Sequence, residues 1–331
     1  MPFCAGDRAY LTALSAFICL LLCTAASPNT PPVLSEFPDQ LVEINSSHNN
    51  VFDLWEFAED LESEDYELTY SITSITDPGC GAAVDMVDYL DINPVTGWIG
   101  CSDVTVRVTD PEGLWDEDTF RVVSAHFYDK IAHARANPDG SWVAVFEKIS
   151  TAEFPACIYI QEPDRACGIG LDLSGVTDCC PGNSVTAAGL LTTVDSERRI
   201  AAFYLAVNGS APLPEPLCMA NRLLGGNSPD AYTPAVPDGG KGLYNVGLLV
   251  RTSGRVIDND GEHYFFVDDG SPTIDSHTVP ALLVNGAELG GYFPPMGSYV
   301  TITGISGTEA VNGTDIARSI RPRDQADLKV E

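Results

Sequence analysis

Short runs in which apolar and polar residues alternate recur along the first third of the chain. They lie at residues 41–44, 67–72, 89–92, 104–108 and 119–123, and Asp, Pro and Gly bound them. Such alternation is typical of half-buried β-strands, and the bounding residues are typical of turns. Strands of this kind over about a hundred residues predict a Greek-key β-sandwich at 28–124.

The rest of the chain contains an internal duplication. Residues 143–150 correspond to 246–256, 157–164 to 263–270, 181–194 to 295–308, and 197–202 to 317–322. Each copy predicts four or five strands, and five short strands close naturally into a barrel that has no exposed edge. We therefore predict two small OB-like β-barrels at 142–207 and 243–326, a connector at 125–141 and a Pro/Gly-rich linker at 208–242. The predicted fold class is all-β.

The first 27 residues have the pattern of a secretory signal peptide. Arg8 precedes an apolar stretch from Tyr10 to Cys23, and the small residues at 24–26 suit cleavage. An uncleaved N-terminal anchor is the alternative, although an apolar run of about 14 residues is short for a bilayer. No other stretch of 18 apolar residues occurs. We therefore expect a mature chain without a transmembrane segment that is secreted, periplasmic or on the cell surface.

The charge of the chain narrows the range of partners. There are 17 Lys and Arg against 47 Asp and Glu, a formal net charge of −30. Residues 28–124 hold 21 acids and two basic residues, Arg107 and Arg121, which leaves a local charge of −19. Such a field repels polyanions, so nucleic acid is an unfavourable partner. Divalent cations, basic partners or simple solubility fit the charge better.

Closely spaced carboxylates in the first module raise calcium as a cofactor. Calcium takes roughly six to eight oxygen ligands, often carboxylates from flexible loops. The first candidate ligands are Asp60 and Asp110, followed by Asp116 and Asp118. The alternative is that these acids decorate solvated turns, because the Asp-Pro-Glu-Gly segment at 110–113 is an ordinary turn sequence.

Seven cysteines follow the predicted signal peptide. In an oxidising compartment they are candidates for disulfides before they are candidates for metal ligands. Cys80 and Cys101 are the two cysteines of the first module, so we expect them to pair. Cys157 with Cys167 is the preferred pair in the first barrel, and a bridge from Cys218 to that barrel is a further option. The odd number leaves one thiol free or paired between chains.

Two aromatic residues are candidates for ligand binding. Tyr159 and Phe265 occupy matching positions in the two copies, and each alternates with apolar neighbours. One set of side chains must fill each barrel core, and the other then faces outward on the sheet where OB-folds usually bind ligands. An outward ring stacks on a base or a sugar. The alternative is that both sets are simply packed.

Three motifs stand out in the first module: PDQ at 38–40, an Asp shortly before LTYS at 68–71, and VTVRVTDPEG followed by DTFRVV within 104–123. Over nearly all of residues 31–124 they resemble cadherin-like, dystroglycan-type modules of the immunoglobulin fold. The resemblance implies a spacer or an adhesive unit of an exported protein. Many such modules bind calcium.

The two barrels share a G-x-x-V-x-x-x-G strand at 182–189 and 297–304. This strand resembles the GD-x-V-x-V-x-G hallmark of tandem OB-fold modules in secreted bacterial proteins. Neither copy keeps the acidic residue after the first Gly, and neither predicts a helix between its third and fourth strands.

No catalytic signature occurs in the sequence, which lacks G-x-S-x-G, H-E-x-x-H, a phosphate loop and a dinucleotide fingerprint. We expect a secreted or cell-surface, non-enzymatic binding, adhesion or spacer protein whose partner is a cell-surface protein or a glycan. The alternative is an extracellular OB-fold binder of single-stranded nucleic acid or oligosaccharide, attached to a hydrolytic system. A cryptic hydrolase that uses His263 or His277 is a third alternative.

Overall fold

A computed structural model describes residues 28–331 except 87, 156, 174–178, 238–239, 273–278 and 312–314. The predicted signal peptide at 1–27 and His277 lie outside the described residues. Across those ranges the chain is built mainly from β-strands, which confirms the all-β prediction. The one α-helix among them, α1, spans Ile131–Arg135. No helix in the described ranges has the length and apolar character that a membrane span needs.

Nine strands occur in the described part of the first module and its exit. They are β1 (Val33–Leu34), β2 (Gln40–Glu43), β3 (His48–Asp53), β4 (Ala58–Glu59), β5 (Thr69–Ile75), β6 (Ala82–Val84), β7 (Tyr89–Ile92), β8 (Gly100–Thr109) and β9 (Trp115–Tyr128). One sheet has the order β2-β9-β8-β5, with β2 parallel to β9. The facing sheet has the order β3-β7-β6, and β1 pairs with β4. The two sheets enclose one core, as a sandwich requires.

The core of the sandwich follows the alternation in the sequence. Along β8 every second residue is buried, and Val104, Val106 and Val108 are fully enclosed. Phe37 stacks on Phe57 with ring centroids 4.6 Å apart. Because aromatic side chains bury large apolar areas, this aromatic cluster and the valine stripe contribute to the module's hydrophobic stabilisation.

The first barrel contains five strands, β10 (Trp142–Phe154), β11 (Cys157–Gln161), β12 (Gly168–Asp172), β13 (Asn183–Val194) and β14 (Glu197–Ser210). They close in the order β10-β11-β12-β14-β13 and back to β10. The β12–β14 pairing is parallel and the other four are antiparallel. This is the arrangement of an OB-like barrel.

The second barrel repeats the same strand order. After β15 (Leu217–Cys218), its strands are β16 (Leu249–Asn259), β17 (Tyr264–Asp268), β18 (Leu282–Asn285), β19 (Tyr299–Val311) and β20 (Asp315–Arg321), followed by β21 (Leu328–Val330). Here β18–β20 is the parallel pairing and β16–β19 closes the barrel. Short 3-10 helices occur at Leu54–Glu56, Asp65–Glu67, Pro78–Cys80, Asn221–Leu223, Ala287–Leu289 and Gln325–Asp327.

Two pairs of glycines explain why the duplicated motif begins and ends with Gly. Gly182 and Gly297 have φ values of +92° and +83°, a backbone conformation that residues with a side chain rarely adopt. A Cβ on Gly189 would lie 2.0 Å from the carbonyl oxygen of Ala201, and one on Gly304 would lie 2.5 Å from that of Arg321. The fourth strand of each barrel therefore passes directly against the backbone of the fifth.

A buried arginine on the fifth strand caps a helical turn in each barrel. Arg198 donates to the backbone carbonyls of Arg135 and Asn137 at the end of α1. Arg318 donates in the same way to the carbonyls of Arg222 and Leu224 after a 3-10 turn. Because the last carbonyls of a helical segment have no partner within it, these guanidiniums satisfy buried acceptors and fix the chain that leads into each barrel.

Strand β9 joins the sandwich to the first barrel without a break. Its first part pairs with β8, and its last residues run parallel to β10, with His126 opposite Val143 and Tyr128 opposite Val145. A small apolar cluster of Val123, Ala125, Ala144 and Ala188 fills the junction. The predicted connector at 125–141 therefore begins as sheet, continues into α1 and is packed against both units.

The segment between the barrels is also packed. Asn221, Thr233 and Val236 are at most 1% exposed. The amide nitrogen of Asn221 donates to the backbone oxygen of Val267 at 2.8 Å, and its amide oxygen accepts from Thr252 at 2.6 Å. Asn221 thus attaches this Pro/Gly-rich segment to barrel 2.

Candidate functional site

The face of barrel 1 that carries Tyr159 meets barrel 2. On β11, Ile158 and Ile160 point into the barrel core, whereas Tyr159 points outward. Its ring is fully buried in a cluster with Phe154 of barrel 1 and Leu249 of barrel 2. The sheet face on which an OB-like barrel usually binds ligands is, in barrel 1, the contact surface with barrel 2.

A buried carboxylate accepts the hydroxyl of Tyr159. The distance from Tyr159 Oη to Glu197 Oε1 is 2.6 Å, and Glu197 is 1% exposed. Thr308 of barrel 2 approaches the other oxygen of Glu197 at 3.5 Å. A short hydrogen bond from a neutral hydroxyl to a buried carboxylate belongs to the stronger class of protein hydrogen bonds.

Two arginines reach the same hydroxyl, one from each barrel. Arg199 Nη2 and Arg321 Nη1 each lie 3.4 Å from Tyr159 Oη. Arg199 also pairs with Asp172 at 3.0 Å, and Arg321 pairs with Glu309 at 3.0 Å. The side chains of the two arginines are 16% and 17% exposed, so both lie at the solvent-accessible margin of the contact between the barrels.

Burial and local charge set the ionisation of this cluster. Burial, followed by the charge of Glu197, raises the pKa of Tyr159 well above its ordinary value. Burial acts to lower the pKa of Arg199 and of Arg321, but the neighbouring carboxylates and Tyr159 outweigh it, so both pKa values are raised. At neutral pH the Tyr159 hydroxyl is therefore protonated and both guanidinium groups are charged. Such groups bind and position a polar partner.

Further residues of barrel 2 extend this polar cluster. The guanidinium of Arg321 lies over the ring of Phe154, 5.3 Å from its centroid. Asn285 donates to Glu309 at 2.7 Å. Burial, followed by the charge of Glu309, raises the pKa of the half-buried Tyr264. An aromatic ring beside paired Arg and carboxylate groups offers both stacking and bidentate hydrogen bonds to a polar ligand.

Phe265 lies in a different environment from Tyr159. Its ring is fully buried in the core of barrel 2, 6.4 Å from Phe293. The outward residues of β17 are its neighbours Tyr264 and Phe266, which are half-buried. The sequence correspondence between Tyr159 and Phe265 was therefore wrong by one residue, and a shift of one residue exchanges the two faces of a strand. Neither Tyr159 nor Phe265 presents a ring to solvent.

The four acids predicted as calcium ligands serve as hydrogen-bond acceptors for backbone groups. Asp116 accepts from the N–H of Leu34 at 2.9 Å, and Asp118 accepts from the N–H of Phe37 at 2.7 Å. These bonds hold the N-terminal segment on β9. Asp110 accepts from Leu114, and Asp60 caps the turn that follows it.

The same four acids do not form a common metal site. Within the described ranges, no three His, Cys, Asp or Glu side chains converge as a metal ion requires. Calcium binding by Asp60, Asp110, Asp116 and Asp118 therefore gains no support here and stays a prediction. Asp116 and Asp118 accept from backbone donors of the N-terminal segment and are not turned toward a shared centre.

The predicted disulfide pairs are also wrong. Cys80 lies in the sandwich core, whereas Cys101 lies on the opposite face of β8 against the junction with barrel 1. The backbone of Cys167 pairs with Glu162, five residues along the chain from Cys157. At about 3.3 Å per residue that separation is roughly 16 Å, more than twice what a disulfide spans.

Burial makes two of the four thiols of barrel 1 poorly reactive. It raises the pKa of Cys157 to about 12 and that of Cys167 to about 11. Since the thiolate is the reactive form, little of either thiol reacts at neutral pH. Cys167 instead accepts a hydrogen bond from Arg135 at 3.0 Å.

The sequence did not mark Glu197 as a site residue. The duplication aligns Glu197 with Ala317 and Arg199 with Ser319. Positions at which the two copies have unlike residues therefore coincide with the contact between the barrels. His263, named for a hydrolase, is 65% exposed on a turn.

No family model matches the chain, and no curated protein sequence matches it. Among solved structures, the protocadherin γB4 extracellular domain is 13% identical with a TM-score of 0.24, covering 56% of this chain and 29% of that one. Drosophila N-cadherin EC1-4 is 13% identical with a TM-score of 0.23, covering 88% and 75%. SGBP-B of the Bacteroides ovatus mixed-linkage glucan utilization locus, in complex with a mixed-linkage heptasaccharide, is 10% identical with a TM-score of 0.18, covering 91% and 69%. Such TM-scores do not establish a common arrangement, and no function is taken from them.

Proposed function

We propose that the protein is an exported, non-enzymatic spacer and binding protein whose three β-units act as one body. The observation that carries this proposal is β9, a single strand of 14 residues that belongs to the sandwich and to barrel 1. A flexible linker would let the units move independently, whereas a shared strand fixes their orientation. Signal-like residues 1–27 and the charge of −30 suit an exported, soluble chain.

The contact between the barrels supports the same role. Gly168 and Gly247 approach so closely that a Cβ on Gly168 would lie 2.2 Å from the backbone oxygen of Gly247. Leu249 N–H donates to the buried side chain of Gln161 at 3.0 Å, and Arg323 donates to the carbonyl of Thr151 at 3.3 Å. Buried polar groups of this kind tolerate one orientation only, because any other orientation leaves them without partners.

Small-angle X-ray scattering on residues 28–331 tests the spacer role. The scattering curve should fit one rigid conformer, with a maximum dimension that stays constant between low and high salt. A variant with three glycines inserted after Ser124 should broaden the distance distribution, whereas the same insertion after Asp260, in an exposed turn, should not. If the native chain already requires an ensemble of independent units, the spacer proposal fails.

An oligosaccharide is the second candidate ligand, and the partly exposed Arg199 and Arg321 at the margin of the contact between the barrels favour it. Tyr264, Asn285 and Arg321 lie on β17, β18 and β20 of barrel 2. The second and third strands are those with which OB-like barrels bind ligands. A glycan array should detect binding that Tyr264→Ala abolishes and that the exposed control Tyr232→Ala retains. Nucleic acid remains an unfavourable ligand because of the negative charge of the chain. If Tyr264→Ala and Tyr232→Ala bind the same glycan equally, this surface of barrel 2 is not the binding site.

A further inference from the structure

One side of the sandwich has two open strand edges. In the described residues β5 pairs with β8 alone, and β6 pairs with β7 alone. The outer edge of each strand therefore carries backbone N–H and C=O groups that no neighbouring strand satisfies. Such edges are templates for the addition of another strand.

A groove of about 400 Å³ runs between these two edges. It is lined by residues 70–75 of β5 and 82–84 of β6. The half-buried apolar side chains of Ile72, Ile75 and Val84 pack on the sandwich core and form its floor. An extended segment in the groove would gain main-chain hydrogen bonds from β5 and apolar contact from every second residue.

Carboxylates surround one end of the groove. Burial and the nearby charges of Asp65, Asp88 and Asp53 raise the pKa of Tyr70. The hydroxyl oxygen of Tyr70 is buried and has no hydrogen-bond partner among the described residues. Beside it the indole of Trp55, a residue that is 43% exposed, donates to Asp88 at 3.3 Å.

Glu117 of β9 contacts one residue of the groove from outside it, and Arg107 pairs with Glu117 at 2.9 Å. Thr73 of β5 donates to Glu117 at 2.8 Å. The whole module carries 21 acids against two basic residues. The groove is thus complementary in charge to a segment rich in Lys and Arg, and it repels a second copy of this chain.

We propose that the β5 edge binds an extended, basic segment of another protein as an added β-strand. Backbone pairing with β5 gives the affinity, the apolar floor selects alternate apolar side chains, and the carboxylates near Tyr70 select Lys or Arg. This role is independent of the spacer function, so either can fail while the other stands.

Thr73 offers a matched pair of variants. It is the bulge residue of β5, because Ile72 is opposite Val106 and Ser74 is opposite Thr105. Proline is tolerated at bulges and edges, and it removes the N–H. Thr73→Pro and Thr73→Ala both lose the bond to Glu117, and only the proline variant also loses a backbone N–H of β5.

The probe is a fluorescein-labelled ten-residue peptide of alternating Lys and Val, followed by fluorescence anisotropy at 50 mM and 500 mM NaCl. We expect saturable binding that weakens at high salt, that Thr73→Ala retains and that Thr73→Pro weakens at least tenfold. A peptide of alternating Glu and Val should not bind. A Lys–Val peptide N-methylated at alternate residues on one edge should also lose at least tenfold, which tests pairing even if Thr73→Pro fails to fold.

Each other outcome overturns the proposal. Absence of binding at 50 mM NaCl excludes a basic strand acceptor. Equal binding of the plain and N-methylated peptides means that the attraction is electrostatic and involves no strand pairing. If sedimentation instead detects a dimer that Thr73→Pro dissociates, the edge pairs with a second copy of the chain and a basic partner is excluded.

Discussion

Replacing Tyr159 by Phe removes one oxygen from the contact between the barrels and keeps the buried ring. Glu197, which is 1% exposed, then loses the donor at 2.6 Å. A buried charged acceptor left without its donor costs about 2–3 kcal/mol. For a unit of roughly 200 residues, each kcal/mol lowers Tm by about 2–4 °C, so we expect a decrease of roughly 4–12 °C.

Urea unfolding followed by circular dichroism measures this change, with Tyr299→Phe as the control. Tyr299 lies on barrel 2 and is 48% exposed, so loss of its hydroxyl should change the free energy of unfolding by less than about 0.5 kcal/mol. If Tyr159→Phe costs no more than the control, Glu197 is satisfied in another way and the assigned role of the hydroxyl is wrong.

The pH dependence gives a second test of the same residue. The pKa of Tyr159 is raised above its ordinary value of 10.0 because burial disfavours the phenolate. The folded state thus binds this proton more tightly than the unfolded chain does. The contribution of this proton to the free energy of unfolding is complete below pH 10 and is lost as pH rises toward the folded-state pKa of Tyr159. The stability difference between the native protein and Tyr159→Phe should therefore be constant up to about pH 10 and narrow above it.

Three further predictions concern residues outside that cluster. Arg318→Met should lower the free energy of unfolding by about 2 kcal/mol or more in urea, because buried carbonyls after the 3-10 turn lose their donor, and the exposed Arg222→Met should change it little. Asp118→Asn should lower the free energy of unfolding by about 1 kcal/mol, because its bond to Phe37 N–H is weakened, and the loss should be equal in millimolar calcium and in EDTA. A Tm of the native chain that rises with calcium would contradict the role of Asp118 as a backbone acceptor only. Mass spectrometry of the alkylated, unreduced protein should find no peptide that links Cys157 to Cys167, and such a peptide would refute the separation derived above.

The parts of the fold that follow from local pattern were predictable from the sequence. The valines at 104, 106 and 108 alternate and do form a buried stripe. The glycines at 182 and 297 recur because both barrels need the same positive φ. These signals depend on a residue and its near neighbours in the chain, so a single sequence contains them.

The parts that depend on contact between units were not predictable. From its own barrel alone, Tyr159 is expected to be an exposed aromatic residue, and it is contact with the second barrel that buries its ring. Glu197 reads as a turn residue, because the Tyr and Thr that surround its carboxylate are 38 and 111 residues away. For the same reason the segment at 125–128 carries no sign that it pairs with β10.

The continuity of β9 also bears on how the molecule would respond to a pulling force. Tension applied between the sandwich and barrel 1 passes along a strand that is paired with β8 and β2 on one side of the junction and with β10 on the other. The parallel pairings with β2 and β10 are loaded in shear, so several hydrogen bonds must break together before either unit extends. Stretching a single molecule should therefore give one high-force rupture instead of an early extension at the junction.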